Sequence, residues 1–302
     1  MENRQNRSNN FLLTLLPSIA MLLLNTFVSY GVIFFAVILK IRDYKTSDGN
    51  PFDYLMQAAT DIASGNTMGA LFAIYSVAAV LLFGIWYYIA FIKKSGKKIQ
   101  LKAEWAKLTT KPLFYIPGVI LLAFGMQVLC DFLMNILATL VPSWMEFYVQ
   151  LMENVGLDGE VTPLLILYVV ILGPISEELI FRGLTAGYAK RIFRLWVVNV
   201  VQAILFGAMH MNPIQSIYAF VLGLVIGYLV LKSDSLLMGM IIHITFNASS
   251  FVVSYVMPEG SKSAIEFGLL LFASMAATYV GFEMIYKNLP QAAKETSETS
   301  DK

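Results

Sequence analysis

The sequence predicts an all-α, polytopic membrane protein with about eight transmembrane helices. Of its 302 residues, 58% are hydrophobic and 14% charged, against roughly 45–50% and 25% in soluble domains. Mean hydropathy is +0.68. The apolar residues fall in continuous runs of about 20, the length at which a helix crosses a bilayer. None of these runs alternates apolar and polar positions, as the strands of a membrane β-barrel do.

Taken in order, Met1–Asn10 is a polar start carrying Arg4 and Arg7, and the first span covers Phe11–Leu39. Phe11 to Lys40 is too long for the apolar region of a signal peptide and lacks a small-residue cleavage site, so it reads as the first anchor. The connection Ile41–Gly65 contains Asp43, Asp48, Asp53 and Asp61, and Phe52–Ala63 within it has the pattern of a short interfacial helix. The second span, Met68–Ile92, ends in Trp86-Tyr87-Tyr88, an interfacial aromatic belt. Lys93–Lys111 follows, with seven lysines against one acid, Glu104. The positive-inside rule places this loop in the cytoplasm.

The third span is Pro112–Val141. Pro142–Thr162 is an acidic outer loop carrying Glu146, Glu153, Asp158 and Glu160 without lysine or arginine. The fourth span, Pro163–Leu184, runs to Lys190, Arg191 and Arg194, and the fifth, Leu195–Met211, stops at Asn212-Pro213. The sixth is Ile214–Leu231, the seventh Leu236–Val256 and the eighth Ala264–Tyr286, before the polar tail Lys287–Lys302. The expected organisation is therefore an N-terminal transmembrane region of three spans (1–162, no role assigned), a core (163–256), a last helix (257–286) and a tail (287–302). The loop charges place both termini in the cytoplasm of a multi-pass cell-membrane protein. Gly183-xxx-Gly187 and Gly223-xxx-Gly227 mark close helix approaches.

The net charge of +1 and the lack of a basic aromatic groove give no reason to expect a nucleic-acid partner. The single cysteine, Cys130, lies in an apolar run, where it reads as a core residue, and it excludes an internal disulfide. Asp131 and Asn135 in the third span read as polar glue between helices.

The chemistry concentrates in three later spans. Gly173-Pro174-Ile175-Ser176-Glu177-Glu178-Leu179-Ile180-Phe181-Arg182 brings two carboxylates and an arginine into an apolar run. Ionisable groups in hydrocarbon are costly, at least about 2.5–3.5 kcal/mol each, so they mark function by default. Glu178 and Arg182 share a helix face at i,i+4, whereas Glu177 points about 100° away and is free for other work. The chain's two histidines lie in Phe206-Gly207-Ala208-Met209-His210 and His243-Ile244-Thr245-Phe246-Asn247. Counted along its helix, His210 falls too far toward the outer face to meet Glu177 and His243 unless the fifth span tilts or begins deeper.

Three chemistries fit these groups. A desolvated carboxylate is a better base, so Glu177 can take a proton from a water that His210 helps to hold. His243 and Asn247, one turn apart, can then donate to an oxyanion. Alternatively, Glu177, His210 and His243 are the ligand types of a catalytic zinc with one open position. A proton or ion relay is a third reading, for which Asp131 is the only other strong candidate.

The ordered set Glu177-Glu178-xxx-Arg182, Phe206-xxx-His210 and His243-xxx-Asn247 resembles the CPBP family, which comprises type II CAAX-prenyl endopeptidases and bacteriocin-processing, Abi-type membrane proteases. The likeness covers Pro163–Val256. It implies an eight-helix intramembrane endopeptidase whose site opens toward the cytoplasm. Glu177 and His210 would activate water, His243 and Asn247 would form the oxyanion hole, and Glu178 and Arg182 would support the site. It permits a zinc or a metal-free glutamate mechanism, and the metal-free form is the one expected here. In a bacterial setting, which the sequence suggests, a pheromone, a bacteriocin leader or a membrane-protein tail is a better substrate than a prenylated protein. The competing expectation is a non-catalytic membrane immunity or scaffold protein of the same fold.

Overall fold

The computed structural model describes residues 2–43, 50, 52, 53, 56, 65–95, 101–154, 162–256 and 264–290. Among these residues the regular elements are all helical. They are α1 (Glu2–Asp43), α2 (Gly65–Tyr87, winding on as a π turn over Tyr88–Ile92), α3 (Leu101–Ala106), α4 (Pro112–Leu140) and α5 (Pro142–Asn154). Then come α6 (Pro163–Ala189), α7 (Leu195–Ala208), α8 (Pro213–Ser233), α9 (Leu236–Val256) and α10 (Ala264–Lys287).

Seven of these, α1, α2, α4, α6, α8, α9 and α10, contain segments long and apolar enough to cross a bilayer. The chain is an all-α polytopic membrane protein. The expected fifth span is shorter than predicted: α7 has 14 residues, about 21 Å at 1.5 Å per residue, against about 30 Å of hydrocarbon. It begins at Leu195 as expected, and the depth mismatch shrinks from the other side: the fourth span runs to Ala189, past the expected Leu184, so Glu177 lies about 18 Å from that end of α6.

Two connections contain helices that their composition hid. Pro142–Asn154, read as an acidic loop, is α5. Trp144, Met145, Tyr148, Leu151 and Met152 are its half-buried stripe, whereas Glu146, Phe147, Val149, Gln150 and Glu153 are exposed. Lying three and four residues to either side of Tyr148, these residues share one face, as an amphipathic helix requires. The lysine-rich connection holds α3. Of the expected interfacial helix over Phe52–Ala63, residues 52, 53 and 56 are helical and the rest lie outside the described residues, as do Lys97, Lys98 and the tail from 291.

Helix starts follow local chemistry. Proline is the first residue of α4, α5, α6 and α8, where the missing N–H has no intrahelical partner to lose. Thr162 Oγ1 accepts from Leu165 N at 3.2 Å and Asn212 Oδ1 from Gln215 N at 2.8 Å, capping α6 and α8.

Small residues set the close approaches. A Cβ added at Gly125 of α4 would fall 2.7 Å from Thr278 N and 2.8 Å from Ser274 O of α10. Gly183 and Gly187 of α6 face Tyr87 and Phe91. Gly223 and Gly227 of α8 meet Ala203 and Gln202 of α7, as the spacing of those pairs anticipates. Gln202, fully buried, donates to Asn199 and to the carbonyl of Gly223, and Asn199 Nδ2 donates to Leu224 O at 3.0 Å. These bonds tie α7 to α8.

One end of the bundle is fixed by contacts among distant connections. Lys107 Nζ donates to Asp234 O at 3.3 Å, and Lys190 pairs with Asp234 Oδ1 at 3.4 Å. Thr110 N donates to Asn288 O at 2.8 Å, and Arg191 reaches Asn10 at 3.4 Å. The start of α1, the α3–α4, α6–α7 and α8–α9 connections and the end of α10 thus share one end, the basic end. The α4–α5 and α7–α8 connections lie at the other.

Candidate active site

The segment with two carboxylates is not a uniform α-helix. Within α6, Leu167–Leu172 and Glu178–Thr185 are wound as π-helix, with an α-turn, Gly173–Glu177, between them. π windings concentrate at functional positions. Here one cause is visible in the sequence. In the first π stretch Gly173 N donates to Tyr168 O. The next bond in that register would run from residue 174 to Val169 O, but Pro174 has no N–H. Asn247 of α9 serves this carbonyl instead, its Nδ2 donating to Val169 O at 2.7 Å.

Glu178 is fully buried. Its Oε1 lies 3.0 Å from Arg182 Nη1 and accepts from His243 Nδ1 at 2.9 Å. The i,i+4 pair read from the sequence is therefore present, and a histidine from another helix joins it. The Arg182 guanidinium sits 4.5 Å from the centre of the Phe206 ring, a favourable cation–π placement. Its N–H groups do not reach hydrogen-bond geometry with any acceptor among the described residues, so charge and ring hold it.

Glu177 also approaches His243. Its Oε2 lies 3.6 Å from His243 Nε2, so adjacent glutamates reach the two nitrogens of one imidazole. The side chain of Glu177 is 20% exposed, against 0% for Glu178. That difference separates the carboxylate facing open space from the one packed into the protein. Since a carboxylate only accepts, His243 Nδ1 carries the proton of the bond to Glu178, and Nε2 is the nitrogen turned toward Glu177.

His210 lies just beyond the end of α7. Its Nδ1 meets Phe206 O at 3.0 Å, and because a carbonyl only accepts, Nδ1 is the protonated nitrogen and Nε2 is free. Phe206 joins the site: its ring meets His210 edge-on at 5.1 Å and His243 edge-on at 5.6 Å, besides Arg182 above. In the sequence Phe206 was only the first letter of a motif.

Glu177, His210, His243 and Asn247 line one cavity of about 360 Å³. Gln127 and Asp131 of α4, Tyr148 of α5 and Gln215 and Tyr218 of α8 complete its polar wall. Burial, and next the charge of Asp131, push the Tyr148 phenol up, so it faces the cavity as a neutral hydroxyl. Asp131 accepts from Gln127 at 3.2 Å and Asn135 donates to Asp131 O at 2.8 Å. Both bonds run within α4. Cys130 is buried, as expected of a core residue.

Gly239 has no motif to announce it. A Cβ there would run into Glu178 Oε2 and lie 2.8 Å from Val230 Cγ2. The missing side chain is the space that the buried carboxylate occupies. The signal was present in the spacing, since Gly239, His243 and Asn247 recur every four residues along one face of α9.

The zinc reading meets a geometric obstacle. Among the described residues no group of three His, Cys, Asp or Glu side chains is placed to hold a metal ion.

Residues 159–249 match the family model described as Type II CAAX prenyl endopeptidase Rce1-like. The match supports the resemblance to CPBP-family membrane proteases and contains all three motifs. No curated protein and no solved structure matches the chain.

Proposed function

We propose that this membrane protein, through its Rce1-like segment, is an intramembrane endopeptidase that hydrolyses a peptide bond of a membrane-associated protein or peptide. The observation that carries the reading is the Glu177–His243–Glu178 arrangement beside a cavity of about 360 Å³ that His210 and Asn247 also line. One carboxylate is locked by Arg182 and His243, and the other is open to the cavity.

In this reading a water sits between Glu177 and the free Nε2 of His210. Glu177 removes its proton as the oxygen attacks the peptide carbonyl carbon. Negative charge then builds on the carbonyl oxygen. The second amide hydrogen of Asn247 and, once His243 carries two protons, its Nε2–H are the donors for that charge. Glu177 returns its proton to the leaving amine, which separates from the new carboxylate. Glu178, Arg182 and Phe206 act through His243, fixing the ring so that Nε2 faces the reacting atoms. No step is routed through a metal.

The test is cleavage by the purified wild type and by Glu177→Gln, which keeps the shape and removes the base. Equal rates would remove Glu177 from the mechanism.

A further inference from the structure

We infer that the catalytic cavity opens on the non-cytoplasmic side of the membrane, so that the substrate is a polypeptide segment exposed there. The inference rests on the proposed peptidase activity and adds the side from which substrate arrives.

The first argument is depth. Counting at about 1.5 Å per residue from the basic end, His243 lies about 11 Å up α9 and Glu177 about 18 Å up α6. Leu222 lies about 17 Å up α8, and Gln215 about 27 Å. Gln127 lies about 23 Å up α4, and Tyr148 belongs to the helix that follows its far end. The cavity therefore begins with its reacting groups and extends away from the basic end.

The second argument is closure. Below Glu177, every residue from Glu178 to Ala186 is buried. Met238 and Ile242 of α9 are buried beside them at 0% and 1% exposure. This packed layer separates the reacting groups from the basic end. At the other end Gln215 and Tyr148 are only half-buried.

The third argument is charge. Among the described residues the basic end carries Arg4, Arg7, Lys93, Lys94, Lys102, Lys107, Lys111, Lys190, Arg191, Arg194, Lys232 and Lys287. Among the described residues the other end carries Lys40 and Arg42, at the end of α1. Orientation follows lysine and arginine in short connections, which puts the basic end in the cytoplasm and the cavity mouth outside. A site open to the cytoplasm and termini in the cytoplasm, both expected from the sequence, cannot hold together in this fold. The charges select the termini.

The wall near the mouth, Gln127, Asp131, Tyr148, Gln215 and Tyr218, is rich in hydrogen-bonding groups, and its one charge is a carboxylate. It matches the N–H and C=O groups of an extended polypeptide better than a charged headgroup.

Single cysteines test the orientation in intact cells with a membrane-impermeant maleimide. The wild type sets the background, since Cys130 is buried. Gln215→Cys and Tyr148→Cys are expected to label fully before permeabilisation, and Lys190→Cys only after it. The reverse pattern would overturn the inference. Should a variant fail to accumulate, an epitope after Lys302 gives the same answer: protection from protease in intact spheroplasts supports the inference, and digestion overturns it. Neither readout depends on cleavage. A chain with the expected orientation but no peptidase activity would overturn the proposed function alone.

Discussion

Asn247 of α9 donates to the carbonyl of Val169 at 2.7 Å, the carbonyl that Pro174 cannot serve. The residue expected to stabilise an oxyanion thus also ties down the π-wound stretch that precedes Glu177. Asn247→Ala should lower turnover by about 10²–10³, the scale of one oxyanion donor. It should also cost about 0.5–1.5 kcal/mol of stability by removing the hydrogen bond to a half-buried carbonyl. In a Pro174→Ala background, where residue 174 regains its N–H, the stability cost should shrink while the turnover loss remains. Thermal unfolding in detergent and single-turnover cleavage separate the two. A turnover loss that vanished with Pro174→Ala would make Asn247 purely a structural tie.

Gly239→Ala should destabilise by about 1–3 kcal/mol, the usual cost of overpacking, and lower activity by displacing Glu178 from His243. Gly268 provides the control, because nothing lies within 4 Å of a Cβ there. Gly268→Ala should be neutral or stabilise by about 0.5–1 kcal/mol. Equal unfolding temperatures for the two variants would contradict the packing argument.

The Glu178–Arg182 pair is buried on both sides. Removing one member of such a pair costs about 3–5 kcal/mol, because the other charge is left uncompensated. Glu178→Gln and Arg182→Met should each unfold at lower temperature than wild type, and the double variant should recover part of the loss. Strictly additive losses would mean that the two charges are independent.

Since no group of three His, Cys, Asp or Glu side chains among the described residues is placed to hold a metal ion, peptidase activity should survive dialysis against a chelator. Loss of activity that zinc restores would contradict the metal-free reading.

Much of this was legible in the sequence because hydrocarbon makes polar residues conspicuous. Glu177, His210, His243 and Asn247 stood out by type and spacing, and the structure brings them to one cavity. What the sequence hid was geometry that spacing does not encode. The 100° separation of Glu177 and Glu178 assumed α-winding and overlooked that a third group could lie between them; His243 does. The acidic charges of Pro142–Thr162 masked the half-buried stripe of α5. Gly239 carries no chemistry of its own, and only the carboxylate filling its place reveals why it is glycine. His210 seemed too far out because the fourth span was ended at Leu184, whereas that helix runs to Ala189 and Glu177 lies correspondingly farther from the basic end.

The most direct test compares peptides from cells carrying wild type or Glu177→Gln at matched abundance, with membrane and secreted fractions analysed by mass spectrometry. The account predicts at least one fragment that accumulates with wild type, disappears with Glu177→Gln and derives from a segment exposed outside the cytoplasm. Identical peptide profiles from the two strains, with the biological phenotype intact in both, would contradict it and point to a protein that binds without cutting.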